Sequence, residues 1–119
     1  MKLAQDGSLD EWLAGITGAQ GQLDWDAGNR AKNRKHGVEP SEVESLFHRT
    51  AFLAGRIVDP PHDEPRWLLL GETIAGRRLT LIFTRRGDQL RPISCRPMRG
   101  NERRLYEEAK LQGGSEEGQ

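Results

Sequence analysis

The chain has a single cysteine, Cys95. One thiol excludes an internal disulfide framework and fits a reducing compartment, so the protein is expected to be cytoplasmic. Aromatic residues make up only 6% and apolar residues 34%, against 30% charged. Such a chain builds a small core, and part of it is expected to be poorly ordered. No apolar run approaches a membrane span, and no secretory signal peptide is recognisable. There is no glycine-rich phosphate cradle and no Cys/His cluster with metal-ligand spacing, so neither a cofactor nor a structural zinc is expected. Asp59, His62, Asp63 and Glu64 are cation-ligand types, and the polarity of a loop is the simpler account of them. Lysine is absent from Arg66 to Arg104, yet that stretch holds ten arginines against three acids. Its charge of +7 sits in a chain of net charge zero.

The 119 residues fit one domain. Residues 1–22 and 111–119 each carry −2, and the middle, 23–110, carries +4. The neutral total hides a basic domain between acidic ends. Residues 1–22 read as a partly disordered extension, 23–110 as the folded domain and 111–119 as a disordered acidic tail. Within the extension, Leu9, Trp12, Leu13 and Ile16 have helical spacing until Gly15, Gly18 and Gly21 interrupt it.

The domain opens with a short strand at 23–26. Asp26 is placed to cap a helix over about 27–36. That helix has few apolar residues besides Ala27 and Ala31 and is strongly basic, with Arg30, Lys32, Arg34 and Lys35; Gly37 stands at a left-handed C-cap position. Ser41 and Glu44 form a capping-box pattern for a second helix, which ends near Thr50 and turns Val43, Leu46 and Phe47 to the core. A strand follows from Ala51 to Val58, then a loop stiffened by Pro60, Pro61 and Pro65. The continuous apolar run Trp67–Leu70 predicts a central strand covered on both faces. In the next strand Leu79, Leu81 and Phe83 point one way and Arg78, Thr80, Ile82 and Thr84 the other. Arg86-Gly87-Asp88 turns the hairpin. The last strand places Leu90, Pro92, Ser94 and Arg96 on one face, with Arg91, Ile93 and Cys95 opposite, and Pro92 indicates an edge or a bulge. A closing helix from about 101 to 111 turns Leu105, Tyr106 and Ala109 inward and stops at Gly113-Gly114. The order β-α-α-β-β-β-β-α predicts an α+β fold, a small antiparallel sheet with the helices packed on one side.

Four stretches carry a family resemblance: Asp24-Trp25-Asp26; Asn33-Arg34-Lys35-His36-Gly37-Val38; Arg66-Trp67-Leu68-Leu69-Leu70-Gly71; and Arg91-Pro92-Ile93-Ser94-Cys95-Arg96 followed by Glu102-Arg103-Arg104-Leu105-Tyr106. In order and spacing they resemble the BrnT toxins of type II toxin–antitoxin systems, which are similar to RelE-type ribonucleases. Cys95 stands where that family usually has Ala, and residues 1–22 have no counterpart in its short members. The resemblance implies a RelE-like fold and a toxin that cleaves RNA. It also implies neutralisation by a BrnA-like antitoxin, which carries the contact with operator DNA, and a homodimer within that complex.

RNA can be cut without metal when the ribose 2′-OH attacks the adjacent phosphorus. Cationic donors aimed at the developing charge lower the barrier most, by roughly 3–4 kcal/mol for one well-placed donor. Arginine stabilises charge but is no base at neutral pH, since its pKa exceeds about 12. Arg66, Arg91 and Arg96 stand in or at the start of strands, where position is most rigid, and are the candidate catalytic arginines. Lys35 and His36 join them. His36 has the intrinsic pKa of a general base, or simply complements the helix dipole before Gly37. Lys35 is a base only if neighbouring cations lower its pKa, and otherwise contacts phosphate. Arg34, Arg85 and Arg86 are candidate RNA-backbone contacts. His62 and His48 rank lower, as loop and late-helix residues. The competing reading is a non-catalytic nucleic-acid or protein-binding module, or a degenerate toxin, on the same fold.

Overall fold

The computed structural model describes residues 1–16, 23–48 and 51–117. Its elements are β1 (Lys2–Ala4), α1 (Gly7–Ile16), α2 (Ala27–Lys35), α3 (Pro40–Ser45) with a 3-10 turn at Leu46–His48, β2 (Ala51–Asp59), β3 (Trp67–Glu72), β4 (Arg78–Arg86), β5 (Gln89–Pro97) and α4 (Gly100–Glu117). The strands form one antiparallel sheet in the order β1-β2-β3-β4-β5. This is the expected α+β class.

The helices do not lie on one side. Trp67 and Leu69 of β3 share a core with Leu79, Leu81 and Phe83 of β4, with Val43 and Leu46, and with Leu9 and Leu13 of α1. Leu68 and Leu70 face the other way and pack with Met98 and with Tyr106 of α4. Successive strand side chains alternate faces. The unbroken apolar run of β3 therefore needs cover on both, and α4 supplies the second. Full burial of each Leu or Phe is worth about 1.5–3 kcal/mol, so both faces matter to stability.

Residues 2–16 belong to this body. β1 pairs with β2 at Leu3↔Ile57 and Ala4↔Arg56, and Leu9 and Leu13 are buried. Asp6 anchors the segment by accepting from the Trp67 indole at 2.9 Å. The strand expected at 23–26 is reduced to one parallel bridge, Leu23↔Leu90. The expected break at Gly18 and Gly21 and the helix end near Thr50 lie outside the described residues. α4 continues to Glu117 instead of stopping at the glycines. Gly costs a helix about 1 kcal/mol relative to Ala, which weakens the last turns without forbidding them.

Two local devices position β5 and α2. The register slips between Ile82 and Phe83, so that Ile82 faces Ser94 and Phe83 faces Pro92, which leaves Ile93 as a bulge. A bulge reverses the alternation beyond it. Leu90 and Cys95, expected on opposite faces, both enter the Leu79–Phe83 core. α2 has almost no apolar side to bury. Ala27 and Ala31 are exposed, and Asn29 and Asn33, four apart on one face, are buried instead. The Asn29 amide donates to the carbonyls of Asp24 (2.9 Å) and Pro92 (3.0 Å), and the Asn33 amide oxygen accepts the Cys95 N–H at 2.8 Å. The helix is thus fastened to edge strand β5 by polar bonds. Its start carries the expected Asp26 cap, which accepts the Asn29 N–H at 2.9 Å, and Gly37 takes φ 72° at its end. α3 is capped two residues earlier than expected: Pro40 is its first residue, and Glu42 accepts the Glu39 N–H at 3.1 Å. No helix among the described residues is long and apolar enough to cross a membrane.

Candidate functional site

A cleft of about 590 Å³ opens where the start of α2, the end of the proline-rich loop, the β4–β5 hairpin and the start of β5 meet. Its walls carry four cations, Lys32, Arg66, Arg86 and Arg91, and two acids, Asp26 and Glu64. Three of the arginines expected at the site therefore converge, although 20 and 25 residues separate Arg86 and Arg91 from Arg66 in the chain. The pairings Thr84↔Arg91 and Trp67↔Phe83 bring them to one end of the sheet.

Each cation is held differently. Arg91 is fixed by two acids at the start of α2: it bonds Asp26 and lies 3.5 Å from Asp24. The cap bond from Asn29 and then the Arg91 guanidinium hold the Asp26 carboxyl below the usual carboxylate range, and the same pairing pushes Arg91 up. Arg86 lies 3.3 Å from Glu64 in a half-exposed pair. Arg66 is less committed. Its Nε is buried without a hydrogen-bond partner. A buried donor left unmade costs about 1–3 kcal/mol, and the residue that carries it lines the cleft. The backbone around it is tied on both sides: the Arg66 carbonyl accepts the Ile57 N–H at 2.7 Å, and the Thr84 hydroxyl donates to the Pro65 carbonyl at 2.7 Å.

The other expected residues lie elsewhere. Arg96 is at the far end of β5, where its two terminal nitrogens bond the two Glu102 oxygens at 2.7 and 2.9 Å. That carboxylate also accepts the Thr80 hydroxyl at 3.0 Å and the Arg99 N–H at 2.8 Å. Burial alone would push Glu102 up; these donors outweigh it and hold the carboxyl below its ordinary value. Lys35 and His36 are exposed at the end of α2, one turn beyond Lys32, and do not line the cleft. Arg34 reaches Glu39 at 3.6 Å. The Arg85 guanidinium stacks 4.7 Å above the Trp12 ring on the opposite face of β4. His62 and His48 are exposed and outside the cleft.

Lys32, Glu64 and Asp26 were not foreseen as wall residues. Only Lys32 had a signal, three residues after Asn29 on a basic helix, and that signal is readable once Asn29 marks the buried side. A second cleft, about 460 Å³ between β2 and α4, is walled largely by Phe52, Leu53, Leu70, Leu105 and Ala109 and holds none of the expected site residues. Among the described residues no group of three or more His, Cys, Asp or Glu is placed to hold a metal ion. The cationic cleft suits a polyanion: guanidinium forks pair phosphate oxygens, and the Asp24 and Asp26 buttress holds Arg91 in place.

Residues 25–102, more than half the chain, fit the family described as "Ribonuclease toxin, BrnT, of type II toxin-antitoxin system". No curated protein matches the chain. The matched span contains α2, every wall of the cleft and the whole of β2 to β5.

Proposed function

Because the chain belongs to the BrnT ribonuclease toxins of type II toxin–antitoxin systems, we propose that it is a metal-independent endoribonuclease, RelE-like in mode of action and neutralised by a BrnA-like antitoxin in the cytoplasm. The ribose 2′-oxygen attacks the adjacent phosphorus, leaving a 2′,3′-cyclic phosphate and a free 5′-hydroxyl. One observation carries this reading: Arg66, Arg86, Arg91 and Lys32 wall a single cleft, and the buried Nε of Arg66 has no partner. Arg66 bonds the phosphate as its charge grows. Arg91, held by Asp24 and Asp26, keeps the phosphate in register. Both carboxylates of the wall stand against arginines. Compensation of phosphate charge then falls to guanidinium groups, which supports a reaction without metal.

Lys35, His36 and Arg34 extend the basic side of α2 and contact flanking phosphates, whereas Arg85, stacked on Trp12 on the opposite face of β4, takes no part in this reading. Arg96 acts at a distance in this reading, holding β5 to α4 through Glu102. The antitoxin hides the cationic face, links the toxin to operator DNA and pairs two copies of it. A non-catalytic grip has one observation of its own: no histidine walls the cleft.

Induced expression separates the two. Growth arrest with RNA decay, relieved by the neighbouring antitoxin and lost in Arg66→Ala, is the expected result. The purified variant should retain its fold and lose about 10²–10³ in rate, the usual effect of deleting one charge-stabilising donor. Soluble, folded protein that binds RNA in a salt-dependent way and yields no product at any concentration would establish the grip.

A further inference from the structure

We infer that Glu64 is the proton acceptor of the cleft and Lys32 its proton donor, an assignment that rests on the ribonuclease reading above. Arginines cannot accept a proton near neutrality. Apart from arginines, the ionisable side chains of the wall are Asp26, Glu64 and Lys32. Asp26 is spent: it accepts the Asn29 N–H and the Arg91 guanidinium, and a carboxylate stabilised in this way is a weak base. Glu64 is not. Its contacts with Arg86 are 3.3 and 3.4 Å, long beside the usual 2.7–2.9 Å of a charge-assisted bond, and its side chain is 45% exposed. Lone pairs remain for an incoming hydroxyl.

Placement supports the assignment as much as chemistry does. Glu64 stands two residues before Arg66, on a segment pinned to β4 through Pro65 and to β2 through Arg66. A base and a charge-stabilising donor on one short, tied segment can address adjacent atoms of one phosphodiester. Lys32 lines the same cleft from α2, whereas Lys35 and His36 do not.

The step balances. The 2′-OH gives its proton to the Glu64 carboxylate as its oxygen bonds phosphorus. The bond from phosphorus to the 5′-oxygen breaks with its electron pair, and that oxygen takes a proton from the Lys32 ammonium. The products are the cyclic phosphate and the 5′-alcohol. Solvent restores both groups.

Glu64→Gln and Lys32→Ala are compared with the unaltered protein on a short RNA and on the same RNA with a 2′-deoxy residue at the cut. Both sites are at the surface, and thermal denaturation verifies the fold. Glu64→Gln should cleave at least about 100-fold more slowly, the usual scale of a lost general base. Its affinity for the deoxy RNA should change by less than about 3-fold, and Glu64→Asp should recover part of the rate. A bridging sulfur at the 5′-position leaves without a proton and should restore Lys32→Ala but not Glu64→Gln. Glu64→Gln that cleaves normally, or loses affinity and rate together, overturns the assignment of the base. Lys32→Ala that the sulfur does not rescue overturns that of the acid. An unaltered protein that cleaves nothing overturns the ribonuclease reading and this one with it.

Discussion

The two ends of β5 use arginine in opposite ways. At the cleft end, Arg91 is braced by acids that stay partly in solvent, and beside it Arg66 keeps a buried nitrogen with nothing to bond. At the far end, Arg96 and Glu102 close on each other with side chains only 12% and 7% exposed, and the same carboxylate takes two further donors. Both ends contribute to the excess of positive charge between Arg66 and Arg104. In the proposed function only the first gives its donors to a substrate. Charge counting measures the excess; it does not show which cations a distant acid has already satisfied.

The largest effect should come from breaking the sealed end. Arg96→Ala leaves a buried carboxylate uncompensated, and such losses cost about 3–5 kcal/mol. Urea denaturation should show it, with any loss of cleavage following the loss of folded protein. Arg66→Ala removes a side chain whose Nε is already unsatisfied, so its stability should change by less than about 1 kcal/mol while activity falls. Equal destabilisation by the two would erase the distinction between the ends. A double change, Arg96→Met with Glu102→Leu, removes both charges and should be milder than Arg96→Ala alone.

A smaller effect of the same origin appears with pH. Glu102, buried but held low by Arg96, Arg99 N–H and Thr80, and Glu72, held low chiefly by Lys110 and also by Tyr106, both have folded-state pKa values below their unfolded ones. Their contribution to stability is complete above the unfolded carboxylate value of about 4.3 and is lost as pH falls through the lower folded values. The urea midpoint should therefore hold from pH 7 to about 5 and decline below the carboxylate range. Glu102→Gln should show a shallower decline; an unchanged slope would mean that the sealed pair is not what acid breaks.

Much of this arrangement is legible in the residues, and the failures have physical causes. Alternation along β4 shows Leu79, Leu81 and Phe83 turned to one core, and Asp26 and Gly37 mark the ends of α2. Periodicity shows that a helix has an inner side but not which sheet face receives it, so α4 was free to take the second face. β1 is three residues long and has too little pattern to be read. The bulge at Ile93 inverts the faces of β5 with no mark but Pro92. α2 is hard to phase because asparagines fasten it. An Asn is ordinarily a surface residue, and its burial here exists only because β5 offers a carbonyl and an N–H at the right height. The cleft was half visible: Arg66, Arg86 and Arg91 stand out by type, whereas Glu64 is one acid in a polar loop until the fold brings it beside Arg86.

Cys95 provides the finest test of how tightly α2 seals β5. The side chain is fully buried, and its backbone N–H is the one Asn33 accepts. Burial, with a further push from Glu42, drives the thiol up to about 12. At pH 8 it should stay protonated and resist iodoacetamide, with labelling at least about 100-fold slower than in denatured protein, since the thiolate is the reactive form. For an acid with a raised folded pKa, the stabilising contribution is full below the unfolded value and lost as pH rises toward the folded one. The unfolded chain ionises first, so stability should decline from about pH 8.5 upward. Cys95→Ala should remove that alkaline decline at a cost of about 1 kcal/mol at neutral pH, less than the several kcal/mol of truncating a large core side chain. Fast labelling of the folded protein at pH 8 would mean that α2 lifts from β5 readily, and the wall of the cleft that α2 carries, Asp26 and Lys32 included, would lift with it.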